Sequence, residues 1–158
     1  MKLTLLLTGR TRLSFVESGI DEYRRRIGKY AKMDIRVLPD IKGAGKSSSR
    51  EIRDREGEAM LKALNNRDIV VLLDERGREL TSEDFAAFIQ QKQMEGGGTL
   101  VFIIGGSDGF SEEVYRRMNH SISLSRMTFS HQIVRIIFLE QLYRAFTIIN
   151  NEPYHLRH

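Results

Sequence analysis

Strand-like and helix-like segments alternate along this chain, and that alternation restricts its fold more than any other feature. Short apolar runs predict strands at Lys2–Thr8, 34–38, 69–73, 99–104 and 121–125. The stretches that follow them predict helices at 15–29, 50–64, about 82–94, 111–119 and 131–149. Five strands alternating with five helices predict a three-layer α/β domain with a mostly parallel sheet.

Local signals set several of the predicted boundaries. Ser14 and Glu17 form a possible capping box for the first helix. Thr81 or Ser82 is expected to cap the third helix. The polar residues 74–77 are expected to turn the chain after the third strand.

The size and composition of the chain exclude several classes of protein. Its 158 residues show no repeat or linker, so 1–158 is expected to be a single domain. Cysteine is absent, which excludes disulfides, zinc–thiolate sites and thiol nucleophiles. The four histidines are scattered, so no metal site is expected. Charged residues interrupt the longest apolar run, so we expect no membrane association. The apolar segment at the N-terminus is too short for a signal peptide, so we expect a cytoplasmic protein.

The net charge of +4 is concentrated in the first part of the chain. Residues 1–60 contain 14 Lys and Arg against 9 Asp and Glu, a balance of +5, and the remainder has a balance of −1. Clustered positive charge favours a polyanionic partner such as RNA, although a solvated charged surface is the alternative. The segment 43–47 resembles a nucleotide phosphate loop, but Asp40 stands where that motif needs glycine. A basic loop that contacts RNA phosphates fits this segment better.

Two unusual loops follow the last two predicted strands. The first, residues 105–109, is rich in glycine but lacks the spacing of the dinucleotide fingerprint. The second, residues 125–131, contains Arg126, Met127 and Phe129 where a polar turn would suffice. Because open α/β sheets bind ligands beyond the carboxyl ends of their strands, the two loops together favour a small-ligand pocket. Ordinary turn formation and packing of the loop against the core are the alternatives.

The predicted helix 131–149 is apolar on nearly every side. A terminal helix of this kind favours burial against a second subunit. Arg135 and Arg144 are its exceptions, and a charged side chain in such a setting needs an acceptor. RNA phosphate, a carboxylate of a partner and an intrachain salt bridge would each serve.

Four motifs in the second half of the chain occur in a specific order. They are IGGSDG at 104–109, SLSRMTFSHQ at 123–132, EQLYRAF at 140–146 and PYH at 153–155. In these motifs the chain resembles the RlmH family, SPOUT-class methyltransferases that act on a pseudouridine of bacterial 23S rRNA. The resemblance extends over essentially the whole chain. One departure is Ser130, where members of the family often carry proline.

The resemblance implies an activity, a methyl donor and a fold. The activity is methylation of N3 of pseudouridine-1915 of 23S rRNA in the ribosome. The donor, S-adenosylmethionine, is expected in a site made by three strand-end loops. Valine at Gly105 is expected to block this site and to leave the core intact. The expected donor-binding residues are Leu73, Gly105, Leu124, Ser125, Arg126, Met127, Thr128 and Phe129. A C-terminal trefoil knot and a homodimer are also implied, and periodicity alone shows neither.

The chemistry of this reaction suggests roles for the tail and for the arginines of the last helix. N3 of a pseudouridine must lose its proton as the methyl group arrives, which calls for a base and for a cation beside the base anion. Tyr154 and His155 are candidates for the base, and Arg144 and Arg135 for the cation. The tail is expected to fold back over the donor pocket, and His131 is the next candidate base.

RNA contacts are expected from the basic part of the chain. The residues assigned to them are Lys42, Lys46, Arg50 and Arg135, with Arg10 or Arg12 in addition. Two other classes of function stay open at this point. A non-catalytic module that binds RNA or ribosomes would not need the methyl donor. Another enzyme that uses a nucleotide cofactor is disfavoured by the failed phosphate-loop and dinucleotide spacings.

Overall fold

The computed structural model describes residues 1–41 and 44–158, and a five-stranded parallel sheet lies at its centre. The strands are β1 Lys2–Thr8, β2 Lys32–Leu38, β3 Ile69–Glu79, β4 Leu100–Ile104 and β5 His120–Ser123. Their order across the sheet is β2-β1-β4-β3-β5, and every pairing is parallel. The predicted α/β architecture with a parallel sheet is confirmed.

Helices cover both faces of the sheet. They are α1 Ser14–Ile27, α2 Ser49–Lys62, α3 Ser82–Glu95, α4 Glu112–Arg117, α5 Ile133–Ile149 and α6 Tyr154–Arg157, with a 3-10 turn at Ala44–Lys46. Helices α1, α3 and α5 contribute to the core on one face, and α2 and α4 to the core on the other. This arrangement gives the three expected layers.

The central strands are apolar on both sides because both of their faces are covered. In β1, Leu5 and Leu7 point into the α1/α3/α5 core, and Leu6 points into the α2/α4 core. The larger core is centred on Phe102 of β4 and Phe138 of α5, whose ring centroids are 4.8 Å apart. Further core residues of α5 extend to Phe146, so the larger core lies between the sheet and most of the length of α5.

Strand β3 differs from its prediction in a way that shapes the site. Residues 74–77 do not end the strand, because the chain bulges and then continues to Glu79. Leu73 and Arg78 both pair with Ile122 of β5, and the residues between them form the bulge. Gly77 makes this possible, since a Cβ there would lie 2.7 Å from the Ile122 backbone.

The predicted caps have mixed outcomes. Thr81 caps α3 as expected, with its Oγ1 accepting the Asp84 amide at 3.0 Å. The capping box at Ser14 and Glu17 is wrong, because Leu13 is at the N-cap and no side chain caps the helix. Gln132 instead holds the entry to α1 by accepting the Arg12 amide at 2.8 Å. A contact over 120 residues cannot be found from local sequence signals.

The C-terminal part follows the predicted order with shifted boundaries. Strand β5 ends at Ser123 rather than 125, and α5 begins at Ile133 rather than 131, so the connecting loop is longer than expected. The tail forms the short helix α6, which was not predicted. Within the described part of the chain, none of the helices has the length and apolar character needed to cross a membrane.

Candidate functional site

The bulge of β3 and the carboxyl ends of β4 and β5 open into one cavity of about 460 Å³, here called the strand-end cavity. Because the three strands are parallel neighbours, the bulge after Leu73 and the loops that follow β4 and β5 lie on the same side of the molecule. Residues 73–76, 104–110 and 123–131 (Arg126 excepted) line the cavity together with Tyr115 and Val134. A volume of this size suits a small organic ligand.

Most of the residues predicted to bind the donor meet at this cavity. The seven that line it are Leu73, Gly105, Leu124, Ser125, Met127, Thr128 and Phe129. Arg126 is not among the lining residues; its side chain is 87% exposed and its Nε lies 3.6 Å from Oε1 of Glu79. Their convergence is a geometric fact, and their contact with a donor stays a prediction.

The glycine loop after β4 is tightly packed from behind. A Cβ at Gly105 would lie 3.1 Å from the Phe110 ring, and a Cβ at Gly106 would lie 2.7 Å from Oε2 of Glu56. A larger residue at either position therefore requires the loop or its neighbour, Phe110 or Glu56, to shift. Valine at Gly105 would press on the buried Phe110 ring, and its expected effect, a blocked cavity with the core intact, stays a prediction.

Hydrogen bonds between residues close in sequence order the loop after β5. Ser123 Oγ donates to the Ser125 carbonyl at 3.0 Å, and Ser125 Oγ accepts the Met127 amide at 2.9 Å. Ser130 Oγ accepts the Ile133 amide at 3.1 Å, so this serine satisfies one of the free amides at the start of α5. Met127 is 76% exposed, so it does not pack into the core. The loop is ordered by its own serines.

The strand-end cavity carries side-chain carboxylates that were not assigned to it from the sequence. Asp74 and Asp108 both line it. Tyr115 donates to Oδ2 of Asp74 at 2.5 Å, and Ser49 of α2 donates to Asp108 at 2.6 Å. Burial, followed by the bond to Asp74, raises the pKa of Tyr115 to about 12, so the phenol keeps its proton. The signal for Asp74 was available, since it directly follows a predicted strand end.

Glu56 of α2 lies behind the glycine loop. Its carboxyl group is half-buried against Gly106, and its Oε1 has no hydrogen-bond partner. Burial, with the nearby negative charges of Asp108 and Asp40, raises the pKa of Glu56 to about 7. The sequence showed no sign of this, because Glu56 belongs to an ordinary charged helix.

The tail does not reach the strand-end cavity of its own chain. Helix α6 packs against α5, and neither Tyr154, His155 nor Arg144 lines the cavity. The expectation that the tail folds back over the cavity is therefore wrong within a single chain. His131, the alternative base, does line it.

The three catalytic candidates instead form one polar network. Arg144 Nη1 donates to Nδ1 of His155 at 2.9 Å, which leaves the proton on Nε2, and Nε2 donates to Glu83 at 2.7 Å. Arg144 also pairs with Glu140 at 2.6 Å, and Tyr154 donates to the same carboxylate at 3.2 Å. Burial and Glu140 raise the pKa of Tyr154 to about 12. Of the acceptors proposed for Arg144, the structure contains the intrachain salt bridge.

Arg135 was assigned to RNA binding, and the structure contradicts this. Its side chain is fully buried, and it donates to the carbonyls of Thr8 at 2.9 Å and His131 at 3.1 Å and to Thr11 Oγ1 at 2.9 Å. Burial lowers the pKa of Arg135. The guanidinium joins the end of β1 to the start of α5, so its role is structural.

The other residues assigned to RNA lie on the surface where the structure describes them. Lys42 lies outside the described residues. Lys46 is exposed in the 3-10 turn, and the Arg50 side chain is 84% exposed, 4.0 Å from Asp54. Arg12 is exposed and pairs with Asp40 at 3.2 Å. Contact of these side chains with RNA stays a prediction.

Comparison with known proteins relates the whole chain to one family. The family model described as "Predicted SPOUT methyltransferase" matches residues 1–155. The protein named ribosomal RNA large subunit methyltransferase H from Parabacteroides distasonis is 46% identical over 155 residues, covering 98% of this chain and 99% of that protein. The protein of the same name from Geotalea daltonii is 50% identical with the same coverage.

A solved structure shares the fold at much lower identity. It is described as a probable methylase family protein from Haemophilus influenzae Rd KW20. It is 12% identical to this chain with a TM-score of 0.56, and the match covers 96% of this chain and 68% of that one. At this identity the match supports the fold and nothing further.

Proposed function

Since the chain belongs to the SPOUT methyltransferase family, we propose that it is an S-adenosylmethionine-dependent methyltransferase of large-subunit ribosomal RNA. The names of its relatives supply the class of RNA. The ordered motifs point further, to N3 of pseudouridine-1915 of 23S rRNA. The observation that carries the proposal is the convergence of the β3 bulge and the loops after β4 and β5 on one cavity, lined by seven of the residues expected to bind the donor.

The strand-end cavity fits the proposed donor. Leu73, Ile104, Leu124 and Val134 provide apolar wall for an adenine ring, and the loops present backbone groups that can hydrogen-bond its edge. Phe110 and Glu56 leave no room for side chains at Gly105 and Gly106. Because these residues are glycines, the backbone of the loop can approach a ligand closely. When bound, the donor supplies an electrophilic methyl group. The chain's contribution here is to bind and orient it and to exclude water.

We infer that the active enzyme is a homodimer. Apolar side chains are exposed around the starts of α1 and α5, with Leu13 and Ile133 each 40% exposed and Phe15 60% exposed. Gln132 joins these two helix starts through Arg10 and Arg12, so the exposed groups belong to one region of the surface. A second copy packed there would cover them. It would also explain how a tail that misses its own cavity takes part in the reaction.

The proposed chemistry assigns His155 and Arg144 linked roles in the cavity of a second copy. Uptake of the N3 proton at Nδ1 of His155 requires Arg144 to leave that nitrogen. The released guanidinium then becomes available to stabilise the anion of the RNA base. Glu83 holds the opposite ring nitrogen and fixes the tautomer, and Tyr154 orients Glu140 beside Arg144.

The family resemblance also leads us to infer the C-terminal trefoil knot. Two features of the chain path support it. The connection from β4 to β5 passes β3, because β5 pairs with β3 at the edge of the sheet. Helix α5 then returns to pack against both α1 and α3.

We propose that the basic segment around the 3-10 turn, residues 42–50, binds the phosphates of the RNA. Lys46 and Arg50 are exposed and lie on the α2 side of the sheet, and Lys42 precedes them in sequence. Ser49 of the same segment bonds Asp108 of the glycine loop, so the basic segment adjoins the strand-end cavity. Phosphate contacts of this kind position RNA without reading its sequence. A ribosomal substrate implies a cytoplasmic location.

Labelled methyl donor distinguishes the proposed enzyme from a module that only binds RNA. The chain is incubated with the labelled donor and with ribosomal particles that lack the modification, and label in the RNA is measured. We expect incorporation that depends on both the chain and the particles. Binding to particles without any incorporation would instead identify a non-catalytic ribosome-binding protein.

A further inference from the structure

Asp74 stands out among the polar groups of the strand-end cavity that have no assigned role. It is half-buried at the first position of the β3 bulge, directly after Leu73. Its Oδ2 accepts the Tyr115 hydroxyl at 2.5 Å, and its Oδ1 is 3.4 Å from the Arg76 amide. The carboxylate therefore keeps acceptor capacity toward the cavity that it lines.

Tyr115 fixes this carboxylate in place. Its ring packs edge-on against Phe110 with centroids 5.9 Å apart, and Phe110 in turn supports Gly105. The high pKa of the phenol, about 12, keeps its proton available to Asp74. Through Tyr115, Asp74 is therefore bonded to α4 and connected by packing contacts to the glycine loop.

The other carboxylates of the cavity are placed differently. Glu75 is exposed, so solvent screens its charge, and Asp108 is engaged by Ser49 of α2. Asp74 alone among these three combines partial burial with a tyrosine anchor. A charge in that setting acts more strongly on a ligand than an exposed one does.

The proposed donor and its product differ in charge. S-adenosylmethionine carries a sulfonium and an ammonium against one carboxylate, and methyl transfer removes the sulfonium charge. We propose that Asp74, positioned by Tyr115, is a specificity-determining residue that makes the strand-end cavity favour the positively charged donor over the neutral product. This inference rests on the proposed function, and it adds to it a means of releasing the product.

The test compares the affinities of the full chain for S-adenosylmethionine and S-adenosylhomocysteine by calorimetry. We expect Asp74→Asn to raise the donor-to-product ratio of dissociation constants by about tenfold relative to wild type. Tyr115→Phe should move it the same way by about threefold. Glu113→Gln removes an exposed carboxylate from the same helix as Tyr115 and should leave the ratio unchanged.

Salt provides a second measurement that needs no variant. Attraction by a fixed charge predicts that added salt weakens donor binding by wild type more than product binding. Equal losses for both ligands in Asp74→Asn would overturn the inference, because a hydrogen bond to the shared ribose or a structural role gives that pattern. Unchanged affinities in Asp74→Asn would overturn it as well. Wild-type protein that binds neither ligand would instead overturn the proposed function, and the inference with it.

Discussion

Replacing Glu56 with glutamine should stabilise the protein, by an amount that grows as pH rises from about 4.5 to about 7 and is then constant. Glu56 is half-buried behind Gly106 with one carboxyl oxygen unpartnered, and burial raises its pKa from 4.5 to about 7. An ionised carboxylate is therefore unfavourable in the folded protein. Glutamine has the same shape and removes the charge.

The sign and size of the effect follow from the two pKa values. Below about pH 4.5 both the folded and the unfolded chain keep the proton on Glu56, and the group does not lower the free energy of unfolding. Between about 4.5 and about 7 the unfolded chain releases it first, so stability falls as pH rises. The difference between the two pKa values corresponds to a loss of at most about 3 kcal/mol in the free energy of unfolding. Because Glu56 is only half-buried, we discount it to about 1–2 kcal/mol.

Denaturant unfolding of wild type and Glu56→Gln at about pH 4 and about pH 8 measures this effect. We expect the variant to be more stable by about 1–2 kcal/mol at the higher pH and to differ little at the lower one. Glu58→Gln, an exposed change on the same helix, should show no such pH-dependent gain. A variant that is less stable than wild type at pH 8, or that gains equally at both pH values, would refute the reasoning.

Three further predictions concern the arginine core, the RNA contact and the tail. Arg135→Met should lower the free energy of unfolding by about 3 kcal/mol, because three buried or half-buried acceptors lose their donor; unchanged stability in denaturant would contradict this. Glutamine at Lys46 and Arg50 should weaken binding to ribosomal particles about tenfold at low salt and leave donor affinity intact, whereas identical salt titrations would exclude a phosphate contact. His155→Ala should slow single-turnover methyl transfer by about 100-fold with donor affinity preserved, and a chain truncated after Pro153 that reacts at the normal rate would place the chemistry elsewhere.

The sheet and its layers were predictable from the sequence because the strands carry strong local signals. Continuous apolar runs such as β1 and β4 are typical of strands covered on both faces. The bulge in β3 was missed because residues 74–77 have the composition of a turn. Its cause is the close approach of Gly77 to β5, a neighbour that sequence spacing does not reveal.

The candidate site was predictable where it depends on strand ends and less so where it depends on distant contacts. The convergence of the loops after Leu73, Ile104 and Ser123 follows from parallel pairing. The burial of Arg135 does not, since its acceptors at Thr8 and Thr11 lie more than 120 residues away. An arginine on an apolar helix has the same sequence signature whether it faces RNA or the core.

The location of the transferred methyl group on the RNA distinguishes the proposed reaction from every other methyl transfer. Large ribosomal subunits from cells without the modification are treated with the chain and the donor, and the RNA is digested and examined by mass spectrometry. We expect a single new methyl group, on N3 of one pseudouridine of 23S rRNA, that disappears in Gly105→Val, whose side chain crowds Phe110 in the wall of the strand-end cavity. A methyl group on a different nucleotide, or transfer that persists unchanged in Gly105→Val, would contradict the proposal.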